Sequence, residues 1–328
     1  MRSSLFGLPY RDGWLAFAGK CAIIQSVCIL WKEDDDYMLK RWICLLAALL
    51  LPAASLADAL PITLEPLTPP PEENYLSDTQ YEDETLSVRL ETIRYAGSDC
   101  HLAWVTIADP SQLRTAVSTD PAKLRRQTTS GQHTTSYMAE ANGAVVAING
   151  DWFSGRNKGY IMRMGTVIRD VHTDMRDDCL IDSEGNFHLI ISPTEEARQA
   201  VLDQYTIWNV LSFGPAYVVD GELVEIRKDY PFRRNGQAPR TVIGQTGELS
   251  YVMVVVDGRL KDSPGLTQPE VGELMLSLGC QQAFGLDGGG TSTLTFHNER
   301  VNQLMGKYER KISDMIYFAS GLSTVREE

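Results

Sequence analysis

A carboxylate, three glycines and three hydroxyl groups follow one another between Phe284 and Thr295, in the order Phe-Gly-Leu-Asp-Gly-Gly-Gly-Thr-Ser-Thr-Leu-Thr. The apolar start reads as a strand, Asp287 stands at its exit, and Gly288, Gly289 and Gly290 leave the backbone bare. Glycine lacks Cβ and takes positive φ, so a ligand can approach the main chain and successive N–H groups can form an anion-binding nest. The hydroxyls of Thr291 and Ser292 add donors beside it. Taken alone, the string also reads as a tight glycine-rich hairpin with Asp287 as a turn residue.

Two further strand exits offer polar groups. Ala144 to Ile148 is wholly apolar and ends in Asn149-Gly150-Asp151, and Leu249 to Val256 ends in Asp257-Gly258-Arg259. Asn-Gly and Asp-Gly are also hairpin signatures, so Asn149 and Asp257 each keep a structural alternative. His172, Asp174, Asp177 and Asp178 form a local polar group, but their spacing fits no metal template and reads as a solvated acidic loop. No metal ligand is assigned and no cofactor is required, with a divalent ion left open. No Gly-x-Ser-x-Gly elbow, His-Glu-x-x-His helix or Walker loop is present.

The 328 residues suffice for one large domain, and a net charge of −13 argues against a nucleic-acid binder. From Met38 the chain runs Leu39-Lys40-Arg41, an apolar stretch from Trp42 to Leu51, then small residues through Ala59. A basic start, a short apolar run and a small-residue cut site define a secretory signal peptide over 38–59, too short for a comfortable membrane span. The true start is then expected at Met38, with residues 1–37 a mis-assigned upstream extension, the protein exported and the membrane involved only through the signal. Residues 60–84 carry five prolines, seven acids and no Lys or Arg. That composition reads as a linker or disordered stalk. Of six cysteines, Cys100, Cys179 and Cys280 remain after such a cleavage. They read as core thiols, with one bridge permitted by export.

The domain is expected over 85–328 as a single mixed, strand-rich α+β unit with a few helices packed on the sheet. Leu86 to Arg94 and His101 to Ile107 alternate as strands, and Leu113 to Val117 is extended. Hairpins are expected across Gly165, across Ser183 to Asn186, across Asp220-Gly221 and across Thr246 to Glu248. Helices are predicted from Ser130 or Thr135 to Ala141, from Ser192-Pro193-Thr194 to Tyr205, and from Thr267 to Leu278. Arg227 to Pro239 reads as a mobile polar loop.

Five short strings in order carry a resemblance: Ile148-Asn149-Gly150, Ser212-Phe213-Gly214-Pro215, Pro239-Arg240-Thr241, Val256-Asp257-Gly258-Arg259 and Leu286-Asp287-Gly288-Gly289-Gly290-Thr291-Ser292. Through them the chain resembles the phosphodiester glycosidase family over roughly Leu86 to Ala319. Eukaryotic members of that family remove N-acetylglucosamine from phosphodiesters on lysosomal-enzyme glycans, and bacterial members are exported proteins related to exopolysaccharide metabolism. The chain departs from the family pattern at Asp151, where a second glycine is usual, and at Thr291, where serine is common.

The resemblance implies a hydrolase acting on a sugar-1-phosphodiester of an envelope or extracellular glycan. Such a bond needs a cation for the phosphate, a carboxylate near the anomeric carbon and donors for the sugar hydroxyls. On that basis Arg240 grips the phosphate, helped by Gly288, Gly289, Gly290, Thr291 and Ser292. Asp287 and Asp257 are the carboxylates, Asn149 orients water or a hydroxyl, and Gly150 and Asp151 border the substrate. Two other classes stay open: a metal-dependent phosphodiesterase cutting the P–O bond, and a non-catalytic glycan-binding envelope protein.

Overall fold

The computed structural model describes residues 59–119, 132–230 and 234–327. The expected upstream extension, nearly all of the signal segment and Ser130 lie outside them. In chain order the elements begin with β1 (Tyr75–Ser77), β2 (Gln80–Glu82), β3 (Leu86–Tyr95), β4 (Ser98–Ile107), β5 (Leu113–Val117), α1 (Thr135–Ala141) and β6 (Val146–Asn149). They continue with β7 (Gly159–Arg163), β8 (Thr166–Val171), β9 (Asp177–Asp182), β10 (Phe187–Ile190), α2 (Glu195–Gln204), β11 (Ile207–Phe213), β12 (Ala216–Val219) and β13 (Glu222–Leu223). The last are β14 (Arg240–Gly247), β15 (Ser250–Val256), α3 (Gln268–Ser277), β16 (Gln282–Gly285), β17 (Leu294–Phe296), β18 (Glu299–Arg300) and β19 (Asp314–Phe318).

The strands make one nine-stranded sheet, β1-β2-β3-β4-β15-β14-β16-β12-β13, and two five-stranded sheets, β10-β9-β11-β7-β8 and β18-β17-β6-β19-β5. This is the strand-rich α+β domain that the pattern predicts. One face of the large sheet packs on both small ones, around Val105, Ile148, Ile181, Leu211, Met253, Phe284 and Ile316. Its other face buries Leu102, Val242, Val252 and Val254 under Val271, Leu274 and Met275 of α3. β15 is apolar at almost every position because both of its faces are covered.

Each remaining helix covers an outer face. Met138 and Ala139 of α1 lie with Ala147, Met315 and Tyr317, and Val201 and Leu202 of α2 pack on Leu180 and Val210. The caps follow side-chain chemistry. Thr267 forms a capping box with Glu270, and Thr134 accepts from Tyr137 N–H. The second helix starts later than the Ser-Pro-Thr string suggests: Ser192 sits at φ 49° with its N–H given to Asp177, and Thr194 is the cap, accepting from Ala197 N–H.

The proline-rich acidic segment is not a stalk. Its prolines keep it extended, and it adds β1 and β2 to the edge of the large sheet and buries Leu60, Leu67 and Tyr81. Leu67 bridges to Val325, and Asp83 accepts from Tyr81 Oη at 2.6 Å, Ser320 Oγ at 2.5 Å and Thr85 N–H at 2.7 Å. Composition misreads it because a few apolar residues, Leu60, Leu67 and Tyr81, are enough to dock the segment while Leu76 stays exposed. Leu67→Ala is expected to destabilise the domain by about 2–5 kcal/mol, read from the urea midpoint. A linker would show no change.

The polar segment from Arg227 is anchored where it is described. Tyr230 Oη donates to Phe213 O, and Ala238 bridges to Leu266. Cys100, Cys179 and Cys280 are free and buried, and burial pushes the Cys280 thiol up to about 12. Among the described residues no helix is long and apolar enough to cross a membrane.

Candidate active site

Four neighbouring strands of the large sheet deliver their ends to one rim. β15 exits through Val256, β14 enters at Arg240, β16 exits at Gly285 and β12 enters at Ala216, with Arg240 paired to Val256, Val242 to Gly285 and Ala216 to Phe284. A cleft of about 420 Å³ opens there, lined by Phe213, Tyr217, Arg240, Arg259, Gln268 and Asp287 together with the backbone of Gly288 and Gly289. Arg240 and Asp287, expected to share a ligand, face the same cavity.

Asp287 is held from behind. Its N–H donates to Gly150 O at 3.1 Å, its carbonyl accepts from Asn149 Nδ2 at 2.7 Å, and Leu286 N–H donates to Thr241 O at 2.8 Å. Asn149 Oδ1 accepts from Thr241 Oγ1 at 2.9 Å and from Thr293 N–H at 3.1 Å. Every group of this buried amide is therefore used inside the protein. Asn149 positions the strand exits and does not reach water or sugar, a correction to its expected role.

The Asp287 carboxyl is pushed up to about 6, first by burial, while Thr291, Arg310 and Arg156 pull it down and Asp314 adds repulsion. Thr291 Oγ1 lies 2.7 Å from Asp287 Oδ2 and 2.8 Å from Gly288 O. One hydroxyl proton serves two acceptors. The set is satisfied completely when Asp287 is protonated, donating to Thr291, which donates onward to Gly288.

Several expected ligand contacts are replaced by internal ones. Of the three glycines only Gly289 has positive φ, 71°, and its N–H donates to Pro239 O at 2.9 Å, so the nest is interrupted at its centre. Gly288 is bare for the same neighbour, since a Cβ there would stand 2.8 Å from Pro239 O. Gly290 lies against Arg310, 2.6 Å from its Cδ by the same measure. Ser292 is buried and does not line the cleft.

Asp257 is also absent from the cleft. It lies behind the rim, 3.1 Å from His101 Nε2, and accepts from Gln303 N–H at 3.0 Å. The chain does not turn back into a hairpin there, because Gly258 packs against the Pro239 nitrogen. Arg240 lines the cavity but gives Nε to Leu266 O at 2.9 Å and Nη2 to Gly236 O at 2.6 Å. Its Nε/Nη2 edge is spent, leaving only the Nη1 end for an anion.

Gly150 and Asp151 belong to a buried charge layer beneath the site. A Cβ on Gly150 would stand 2.2 Å from Asp314 Oδ2. Asp151 pairs at 3.0 Å with both Arg156 and Arg163, and Arg163 Nη2 reaches Asp314 Oδ2 at 2.7 Å. The two arginines hold the Asp151 carboxyl low against the opposing pull of burial. Asp151 thus departs from the family glycine in order to hold two arginines, not to meet a sugar.

The sequence reading missed Tyr217 and Gln268 in the cleft wall and Arg156 on Asp151 beneath it. Phe213 and Arg259 lay in quoted motifs without a role. The acidic group at 172–178 is dispersed: Asp177 accepts from Ser192 and Ala216 N–H, while its strand neighbour Asp178 pairs with Arg198 at 2.8 Å. Consecutive strand residues point to opposite faces, so the two carboxylates do not converge. Among the described residues no group of three or more His, Cys, Asp or Glu is placed to hold a metal ion.

A family model described as phosphodiester glycosidase matches residues 142–319. The SPbeta prophage-derived uncharacterized protein YomE of Bacillus subtilis (strain 168) is 29% identical over an alignment of 193 residues that covers 57% of this chain and 30% of that protein. The chain therefore spans less than a third of that relative. The zebrafish N-acetylglucosamine-1-phosphodiester alpha-N-acetylglucosaminidase catalytic domain, auto-inhibited by its pro-peptide, superposes with a TM-score of 0.58 and 16% identity, over 82% of this chain and 93% of that one. A hypothetical protein from Synechocystis gives 0.52 and 14%, over 71% and 62%. These structural likenesses bear on the fold.

Proposed function

The chain belongs to the phosphodiester glycosidase family, and on that premise we propose that its cleft hydrolyses a sugar-1-phosphodiester, for example of N-acetylglucosamine, at the bond between the anomeric carbon and oxygen. The observation that carries this reading is Asp287: its carboxyl, held at about 6, stands in a cleft whose other charged lining groups are arginines. A phosphodiester is a good leaving group, so the departing oxygen needs neutralised charge more than a proton.

Arg259 and the free end of Arg240 supply that charge. Asp287 takes a proton from water as the water oxygen bonds to the anomeric carbon. The C–O bond breaks and its electron pair leaves with the phosphate, so the products are free sugar and a phosphomonoester. Tyr217 and Gln268, hydrogen-bonded to each other in the cleft wall, are the polar side chains we assign to the sugar. The substrate is a phosphorylated glycan of the envelope or outside it. The signal-like segment from Met38 supports export, and amino-terminal sequencing of secreted protein checks it.

A base works only when ionised. Turnover is therefore expected to rise as pH increases through about 6 and to level off above it; a fall over the same range would make Asp287 an acid instead. In oxygen-18 water the label is expected on the released sugar. Label on the phosphate, with activity lost in a chelator, would transfer the reading to metal-dependent P–O cleavage.

A further inference from the structure

Resting on the hydrolase reading above, we propose that Arg310 is a further substrate-binding residue: with Arg259 it clamps the phosphate over the Gly289–Gly290 backbone and screens that anion from Asp287. The two arginines approach adjacent residues. Arg259 Nη1 lies 3.5 Å from where a Cβ on Gly289 would stand, and Arg310 Nη1 lies 3.4 Å from where one on Gly290 would stand, with the Arg310 Cδ closer still at 2.6 Å. The third glycine is therefore bare so that an arginine stem can lie along the backbone. A side chain there would lift the guanidinium away from the lip of the cleft, which Arg259 and Gly289 line.

Both arginines are solvent-exposed, and among the described residues neither forms an ion pair with a carboxylate. Arg259 Nη1 donates to Met305 Sδ at 3.3 Å, and a thioether orients a cation without neutralising it. The acid next to Arg310 in the chain is engaged elsewhere: Glu309 accepts from Ser136 N–H at 3.0 Å and from Ser136 Oγ at 2.7 Å. In a chain with 43 acidic and 30 basic residues, two arginines that keep their charge on one pair of glycines make a seat for an anion.

The strap over residues 303–310 holds this pair in place. Gln303 N–H donates to Asp257 Oδ1 at 3.0 Å and Asn302 Nδ2 to Ser292 O at 3.1 Å, and beyond the strap Ile312 N–H donates to His133 O at 2.8 Å. Asp257, withdrawn from the cleft, thus anchors the root of the segment that carries Met305 and Arg310. Asp287 feels the same charge. Its Oδ2 is bonded by Thr291, the residue after Gly290. Burial raises its carboxyl and Thr291 lowers it; of the charged groups acting on it Arg310 lowers it most, ahead of Arg156, and Asp314 opposes both. A bound phosphate brings a negative charge that favours the protonated Asp287, which cannot act as a base. A cation shared by the two anions keeps the carboxylate available.

Turnover of a sugar-1-phosphate methyl diester would be followed across pH in wild type, Arg310→Gln and Arg310→Lys. Arg310→Gln is expected to raise KM about tenfold, the loss of one charge-assisted hydrogen bond. It is also expected to move the rise in kcat to higher pH, because a carboxyl that loses a neighbouring cation ionises later. Arg156, Asp314 and Arg176 also act on Asp287 and stay in place. Arg310→Lys keeps the charge and is expected to leave that rise where wild type has it, while recovering only part of KM because the planar fork is gone. A KM unchanged in Arg310→Gln, or a rise in kcat that stays at the wild-type pH, overturns the proposal. Calorimetry separates it from the hydrolase reading: the diester is expected to bind Asp287→Asn about tenfold more tightly than Asp287→Asn combined with Arg310→Gln. That difference, with no diester cut by wild type, would end the hydrolase and leave the clamp. Equal binding by the two, with the diester cut by wild type, would end the clamp and leave the hydrolase.

Discussion

Asp287→Asn is expected to lower kcat on a sugar-1-phosphodiester by about 10³-fold, within the range that a positioned acid or base contributes. The amide keeps the size of the carboxyl and can still hydrogen-bond to Thr291, but it accepts no proton from water. The same substitution is expected to leave the fold intact or firmer. Burial raises the folded carboxyl to about 6 from an ordinary 3.8, so between those values the folded state holds more protons than the unfolded one. Stability therefore declines as pH rises through that window, by on the order of 2–3 kcal/mol. Asn carries no such cost. Urea midpoints of variant and wild type are expected to coincide near pH 4 and to diverge in favour of the variant near pH 8. Retained turnover would remove Asp287 from the chemistry, and a variant weaker at both pH values would make the residue structural.

Arg163→Met is expected to produce the largest loss of stability. Arg163 is fully buried, pairs with Asp151 at 3.0 Å and Asp314 at 2.7 Å, and donates from Nη1 to Met162 O at 2.9 Å. Methionine fills much of the volume but leaves the Asp314 carboxylate in the interior without its cation and Asp151 with Arg156 alone. Removing one partner from a buried ionic group typically costs about 3–5 kcal/mol. Because an unpaired buried carboxylate favours its protonated form, the variant is expected to regain stability as pH falls toward 5. Adding Asp314→Asn is expected to recover part of the loss by removing the stranded charge. A single variant as stable as wild type in urea at pH 7 would show that the layer contributes no net stability.

That layer also links packing to chemistry. Asp314 lies against Gly150, Gly150 O accepts the Asp287 N–H, and Asn149 beside it holds the Asp287 carbonyl. Displacing Asp314 therefore moves the support of Asp287. The sequence reading of Gly150 and Asn149 as ligand contacts took residues next to the site for residues in it. They sit at a strand exit, as expected, but each polar group meets a neighbouring strand before it can meet a ligand.

Local chemistry in the chain was enough to determine the strand-rich class, the hairpins across Gly165 and Asp220-Gly221, the capped helix from Thr267 and the family strings that end in Asp287. Alternation, caps and glycine-bearing turns depend on neighbours a few residues apart, so they are legible along a line. Which side chains share the cleft depends instead on strand order, which places β14 between β15 and β16 and brings Arg240, Arg259 and Asp287 to one rim. Tertiary packing alone withdrew Asp257 behind Gly258, tied the Nε/Nη2 edge of Arg240 to two carbonyls and folded the proline-rich segment onto the sheet edge. Hydrogen bonds between different strands and loops leave no periodic trace, because each is satisfied by whichever partner the fold supplies.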